Sequence, residues 1–282
     1  MPNLAMPNIM PDPVLSQRSA ADDCVARLPA WRIWMHQTRA RVAALEAGRP
    51  PPAAADMFHY AYAANFPATF KIPGWPALGW TPETLRSRVG GQTVQVQVGR
   101  SQDPNYELRS RAHRGEMTVG DFLDRAQGGP DNDVYMTAQN ASANQRALAP
   151  LYADLAPLPP FLLPASESAF LWIGGRTMTP LHHDLTNNLL CQVHGRKLVR
   201  LISPMQHHLV ENFAGVHSRL GWVSDAVARA RGIAVRDVVL AAGEALFLPV
   251  GWWHCVRAEA FSITAVFTSF LWPNDFSPGF PP

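Results

Sequence analysis

The sequence predicts a mainly β protein of the α+β kind: a small β-barrel or double-sheet jelly roll with a helical flank on its N-terminal side. Three observations carry this expectation. Helical spacing of apolar residues is concentrated in the first half of the 282-residue chain, whereas from Ala169 onward nearly every apolar segment has strand length. The chain holds 26 prolines, which are excluded from helix interiors and central strands, so many short elements joined by stiff turns are favoured over a helical bundle. Hydrophobic residues make up 47% and charged residues 16%, enough to offset the entropy of ordering and build a core. A chain of this length can do so as one structural domain.

Taken in order, residues 1–20 are rich in Pro and Asn and read as a mobile arm. Residues 21–130 read as a lead-in of helices and strands packed on the barrel, and 131–282 as the core itself. A first helix is expected from Leu28 to Ala47, where Trp31, Trp34, Met35, Thr38, Val42 and Leu45 form one stripe before Gly48 and Pro50 stop it. Thr81-Pro82-Glu83 opens a second helix, with Thr81 as N-cap, Pro82 in the first turn and Gly90-Gly91 at the end. Val94, Val96 and Val98 alternate with Gln95 and Gln97 as a half-buried strand. Thr118 and Asp121 start a third helix in the manner of a capping box.

Beyond Ala169, Phe170–Ile173 is an apolar strand stopped by Gly174-Gly175. Asn188–Val193 and Lys197–Ile202 flank His194-Gly195-Arg196 and are expected to pair as a hairpin; Val238–Ala241 and Leu246–Leu248 flank Gly243-Glu244 as a second. A short helix is expected over Arg219–Arg231 with Trp222, Val223, Ala226, Val227 and Ala230 inward, and a long last strand over Phe261–Phe270.

Composition also bounds function. The formal net charge is +2 with scattered basic residues, so no nucleic-acid surface is expected. No apolar run approaches the ~20 residues of a membrane span. Met1–Leu15 lacks the basic and apolar regions of a signal peptide. Cys24, Cys191 and Cys255 are far apart and form no CxxC pair, which suits a reducing, cytoplasmic setting.

Chemistry is concentrated in Thr179-Pro-Leu-His182-His183-Asp184. On a strand, His182 and Asp184 share one face and His183 takes the other. An imidazole and a carboxylate side by side suit a borderline divalent metal, although a surface His–Asp pair has the same spacing. Far downstream, Gly243-Glu244-Ala-Leu-Phe-Leu-Pro249-Val-Gly251-Trp252-Trp253-His254 delivers a second imidazole behind an apolar strand and a turn. A buried imidazole needs a partner: either a backbone carbonyl or a metal shared with His182 and Asp184. Three ligands on one face leave three positions open, the facial triad of non-haem Fe(II) oxygenases; the same set also suits a zinc hydrolase. Lys197 opens a strand in an apolar stretch, where a buried ammonium is costly without an anion. Cys255, beside His254, is read as a small buried hydrophobe rather than a ligand. The basic run from Arg109 to Arg114 is read as a solvated loop.

In combination, residues 170–270 resemble the cupin-type JmjC oxygenases, most closely the asparaginyl hydroxylase that represses the hypoxia-inducible factor and bacterial cupin-like proteins. The shared pattern is Thr-Pro-x-His-x-Asp, Asn188, Gly195-x-Lys197, Gly-(Asp/Glu)-x-Leu-x-x-Pro and Trp-Trp-His; Asp133-Val-Tyr135-Met resembles the family strand whose Tyr reaches the cosubstrate. The resemblance implies a double-stranded β-helix, a single cupin/JmjC domain using Fe(II), 2-oxoglutarate and O2. It implies that His182, Asp184 and His254 bind iron. Lys197, assisted by Thr179 and Tyr135, would receive the distal carboxylate of 2-oxoglutarate, with Asn188 beside it. Family members often carry Asn on the last strand, where this chain has Val266.

The expected function is therefore an Fe(II)- and 2-oxoglutarate-dependent hydroxylase of a peptide or protein side chain. The alternatives are a small-molecule tailoring hydroxylase on the same site and a non-catalytic, ligand-binding cupin. A homodimer would use the Trp31–Leu45 helix.

Overall fold

The computed structural model of the chain describes residues 57–138, 141–163 and 169–272. The expected arm, the Leu28–Ala47 helix and Cys24 lie outside these residues.

The lead-in is built as its caps dictate. After helix α1 (Met57–Ala63) and strand β1 (Ala68–Lys71) comes helix α2 (Pro82–Val89). Its N-cap Thr81 accepts from the Thr84 amide at 3.2 Å, while the Thr84 hydroxyl accepts from the Thr81 amide at 2.7 Å, so two orphan donors are satisfied. Strand β2 (Thr93–Gln97) buries Val94 and Val96 as its alternation requires, but ends before Val98 because Gly99 leaves at φ 70°. Strand β3 (Arg114–Thr118) runs into helix α3 (Val119–Gly128), capped by Thr118. The Asp121 carboxylate accepts from the Thr118 hydroxyl at 2.7 Å, so this cap is not the reciprocal box expected. Strand β4 (Tyr135–Met136) and helices α4 (Ala141–Ala147) and α5 (Ala149–Tyr152) follow, inside the 131–282 segment and ahead of the barrel strands.

The core strands are β5 (Phe170–Gly174), β6 (Met178–His182), β7 (Asn188–His194), β8 (Arg196–Ile202), β9 (Asn212–Ala214), β10 (His217–Ser218), β11 (Val235–Ala241), β12 (Glu244–Leu248), β13 (Trp253–Ala258) and β14 (Ser262–Phe267). Two antiparallel sheets form. One has the order β1-β12-β7-β14-β5-β4-β2-β3 and the other β11-β8-β13-β6-β10-β9. Their inner parts, β12-β7-β14-β5 facing β11-β8-β13-β6, are a double-stranded β-helix, the expected jelly roll, with lead-in strands extending the larger sheet at both edges.

This topology corrects the two hairpins. β7 pairs with β12 and β14, whereas β8 pairs with β11 and β13. The chain at Gly195 therefore crosses from one sheet to the other. Gly195 has φ 71°, and a Cβ there would sit 2.3 Å from the Phe261 carbonyl oxygen, so only glycine fits the crossing. Gly243, at φ 86°, makes the same kind of crossing between β11 and β12. A short glycine turn between apolar strands is compatible with either a hairpin or a sheet-to-sheet crossing; here the strands on either side of each turn pair in different sheets.

The predicted helix over 219–231 shrinks to α6 (Asp225–Arg231), capped by Ser224. Val223 and Ala228 are buried, but Ala226 and Ala230, expected inward, are exposed. The last strand stops at Phe267, and Phe270 bridges to Leu162 instead.

Three apolar clusters follow from strand alternation. Leu189, Cys191, Val193, Leu171, Ile173 and Ala265 carry the outer face of the larger sheet into the lead-in helices. Leu181, Ile202, Trp253 and Cys255 do the same for the smaller sheet against α6. Between the sheets, Val199, Leu201, Val238, Leu240, Leu246, Leu248 and Trp252 fill one half of the barrel.

Candidate functional site

The other half of the barrel interior is a cavity of about 240 Å³. It is lined from the smaller sheet by Thr179, His182, Lys197, His254 and Val256, and from the larger by Phe170, Trp172, Asn188, Leu190, Thr264 and Val266, with Tyr135 from β4 and Asp184 from the loop after β6.

Strand register brings these groups together. His254 on β13 lies opposite His182 on β6, and Val256 opposite Thr179. Between these pairs one residue on β13, Cys255, faces two on β6, Pro180 and Leu181, a bulge that lets both Thr179 and His182 reach the cavity although strict alternation would separate them. β6 ends at His182, so Asp184 lies just past the strand, yet the two side chains still share a side. His183 takes the other side, buried with its ring T-shaped against Trp253 at 4.6 Å. On β13, Trp253 and Cys255 point away from the cavity while His254 and Val256 point into it. Burial raises the Cys255 thiol to about 12, as fits a packing residue.

The turn before β13 is clamped. Gly251, at φ 79°, donates to the Asp184 carbonyl at 3.0 Å. The Val250 amide donates to Asn187 Oδ1 at 2.9 Å, and its carbonyl accepts from Asn65 Nδ2 at 3.0 Å. Trp252 Nε1 closes the clamp on the Asn65 carbonyl at 2.8 Å. Sequence reasoning missed Asn65 and Asn187. Asn187 stands beside a motif residue and Asn65 has a positive φ, but no spacing links either to the turn.

His182, Asp184 and His254 offer ligand atoms that all lie within 4.8 Å of one another, and among the described residues they are the one such cluster that could hold a metal ion. The donor set fits Fe(II) in detail. His182 Nδ1 lies 2.8 Å from the Pro180 carbonyl and His254 Nδ1 3.0 Å from the Trp252 carbonyl. Each carbonyl accepts an Nδ1–H, which fixes the tautomer that leaves Nε2 free as a ligand. Those Nε2 atoms lie 3.9 Å and 3.7 Å from the two Asp184 carboxylate oxygens. Desolvation, then the neighbouring His182, lowers His254 to about 4, so its imidazole is neutral and available.

Lys197 is 4% exposed. Its Nζ donates to the Tyr135 hydroxyl at 3.3 Å, and among the described residues no carboxylate pairs with it. Burial alone lowers its ammonium to about 7. A buried cation lining the same cavity as the His–Asp–His cluster could receive one end of a dicarboxylate whose other end meets a metal held there. Asn188 lines the cavity, and its amide donates to Asp184 Oδ2 at 2.8 Å. It therefore orients the carboxylate of the His–Asp–His cluster. Val266 lies opposite Phe170 and Thr264 opposite Trp172; the first of these rungs gives the cavity an apolar wall where the resemblance would place an Asn.

The cupin-like domain profile matches residues 54–276. Lysine-specific demethylase 8 of Xenopus tropicalis is 29% identical over 217 residues, covering 71% of this chain and 46% of that protein. Lysine-specific demethylase JMJ30 of Arabidopsis thaliana is 30% identical over 225 residues, covering 73% and 49%. tRNA wybutosine-synthesizing protein 4 of Aspergillus oryzae is 28% identical over 188 residues, covering 62% and 18%. The chain spans about half the length, or less, of these relatives. With the match enclosing every described residue, the chain belongs to the cupin-like family, whose JmjC oxygenases work with Fe(II), 2-oxoglutarate and O2.

Proposed function

We propose that the protein is an Fe(II)- and 2-oxoglutarate-dependent oxygenase that hydroxylates a peptide or protein side chain. One observation carries this reading. A His–Asp–His cluster and a buried lysine that has no carboxylate partner among the described residues open into the same cavity. A zinc hydrolase or a storage cupin has no need of that lysine. The names of two of the relatives, lysine-specific demethylases, support a protein substrate. The buried free thiols Cys191 and Cys255 suit a reducing cytoplasmic setting.

In this reading His182, Asp184 and His254 hold the metal. Bound Fe(II) with 2-oxoglutarate supplies the oxidative decarboxylation that makes O2 able to oxidise a C–H bond, with succinate and CO2 as co-products. The protein's residues bind and orient. Lys197 receives the distal carboxylate as a charged donor, and the Tyr135 and Thr179 hydroxyls complete its hydrogen bonds. Asn188 holds Asp184 in one orientation. Leu190, Leu248 and Val256 seal the cavity against the filled half of the barrel and keep water out. Phe170 and Val266 form the wall along which the substrate C–H is held.

The test is incubation of a cell-extract peptide library with protein, Fe(II) and 2-oxoglutarate. Peptides gaining the mass of one oxygen atom, with matching succinate release, support the reading. Succinate without any modified peptide favours a small-molecule substrate; no succinate under any condition overturns the oxygenase.

A further inference from the structure

Beneath the Lys197 end of the cavity lies a second buried cation. Arg100 follows the Gly99 turn and is 1% exposed. One of its terminal nitrogens donates to Gln97 Oε1 at 2.9 Å. The other donates to Glu107 Oε1 at 2.9 Å and to the Met178 carbonyl at 2.9 Å. The guanidinium lies over the Tyr106 ring at 4.3 Å and the Tyr135 ring at 4.9 Å. The Tyr106 hydroxyl donates to the same Met178 carbonyl at 2.9 Å.

Tyr135 is thereby held from several sides. Arg100 stacks on its ring, and Gly174 leaves the ring room, since a Cβ there would come within 2.7 Å of Tyr135 Cδ2. The hydroxyl at the ring's tip faces Lys197. Burial raises the Tyr135 phenol, so it stays neutral and can donate. A planar fork that bonds Gln97, Glu107 and Met178 while stacking on two rings is something an ammonium cannot reproduce. A buried ion pair is a weak source of stability compared with apolar packing, so the cost of Arg100 and Glu107 calls for a use.

We propose that Arg100 is a positioning residue for the cosubstrate: by fixing the plane of the Tyr135 ring it aims the Tyr135 hydroxyl at the carboxylate that Lys197 receives. The inference rests on the 2-oxoglutarate reading of the cavity. A residue that only stapled the 98–113 loop to the sheet would lower stability and leave cosubstrate binding alone.

The experiment is a calorimetric titration of the full chain, loaded with Mn(II) so that no turnover occurs, with 2-oxoglutarate. Wild type, Arg100→Lys, Tyr135→Phe and the double variant are compared. Arg100→Lys binds 2-oxoglutarate on the order of tenfold more weakly, while Mn(II) affinity stays within about twofold of wild type. In the Tyr135→Phe background, where there is no hydroxyl to aim, Arg100→Lys costs less than about threefold. If Arg100→Lys does not fold, the paired exchange of Arg100→Gln with Glu107→Gln removes the ion pair as a neutral unit and carries the same two expectations. Unchanged 2-oxoglutarate affinity in the folded variant, or an equal loss with and without the Tyr135 hydroxyl, overturns the inference while leaving the oxygenase reading in place. A wild-type protein that binds no 2-oxoglutarate overturns both.

Discussion

The two halves of the barrel interior are made from the same strands and do opposite things. On β8, Lys197 faces the cavity while Val199 and Leu201, two and four residues on, fill the other half. On β13, His254 and Val256 share a face; the first carries a ligand nitrogen, and the second packs against the filled half. The filled half satisfies itself through apolar contact. The open half holds the converging ligand atoms of His182, Asp184 and His254, and a Lys197 that no carboxylate among the described residues pairs with. Stability and function are thus separated by a few ångströms along one strand, and each half is expected to respond to a different assay.

The largest effect expected is in the metal cluster. His182→Ala, Asp184→Ala and His254→Ala should each abolish Fe(II)-dependent 2-oxoglutarate turnover. The loss should exceed the ~10–100-fold typical for a residue that only orients a ligand. Thermal melting of the metal-free variants should stay close to wild type, because no packed atom of the filled half is lost. His183→Ala should do the reverse, keeping metal and lowering the melting temperature through the Trp253 contact. A dead His183→Ala beside an active His182→Ala would invert the assignment of faces.

Next is the pH behaviour of Lys197. In the cosubstrate-free protein its ammonium titrates at about 7, against 10.5 ordinarily. Between those values the unfolded chain carries a proton the folded chain lacks, so the stability of the free protein should rise with pH across that window. Cosubstrate affinity should run the other way: full below about 7, where the ammonium is charged, and declining as pH rises above it. Lys197→Met should flatten both slopes, read by denaturant melts and by 2-oxoglutarate titration at each pH.

Leu201→Ala probes the filled half. It should cost about 2–5 kcal/mol in denaturant unfolding and leave 2-oxoglutarate affinity of the folded fraction within a fewfold. Smaller is Tyr135→Phe, which should weaken 2-oxoglutarate about five- to a hundredfold through loss of one hydrogen bond to a charged group worth ~1–3 kcal/mol. Smallest is Cys255→Ala, a loss of about 1 kcal/mol with iron content unchanged by elemental analysis; lost metal would make the thiol a ligand.

Much of this architecture could be read from the residues, for physical reasons that differ by region. Thr81 and Pro82 announce α2 because a cap and a first-turn proline act locally. His182, Asp184, Lys197 and His254 stand out because buried charge and imidazole in apolar strands need partners. The sheet crossings at Gly195 and Gly243 were not readable, since a short glycine turn looks alike whether the next strand pairs or crosses. Nor was Arg100, which lies in a loop with no periodicity and gains its partners only when Met178, Tyr106 and Glu107 are brought together. Asn188 carried a motif signal, but its hydrogen bond to Asp184 depends on where the chain turns between them.

In the proposed function the open half of the barrel binds metal at the His–Asp–His cluster and 2-oxoglutarate between that metal and Lys197. That arrangement is tested most directly by anaerobic titration of the Fe(II)-loaded protein with 2-oxoglutarate, following the visible charge-transfer absorption in wild type and Lys197→Ala. Removing one partner of a buried ion pair costs about 3–5 kcal/mol, which at ~1.4 kcal/mol per decade is on the order of a hundredfold or more. Wild type should show a saturable band, and Lys197→Ala should retain iron while binding 2-oxoglutarate at least about a hundredfold more weakly. Equal affinity in the two proteins would contradict that arrangement.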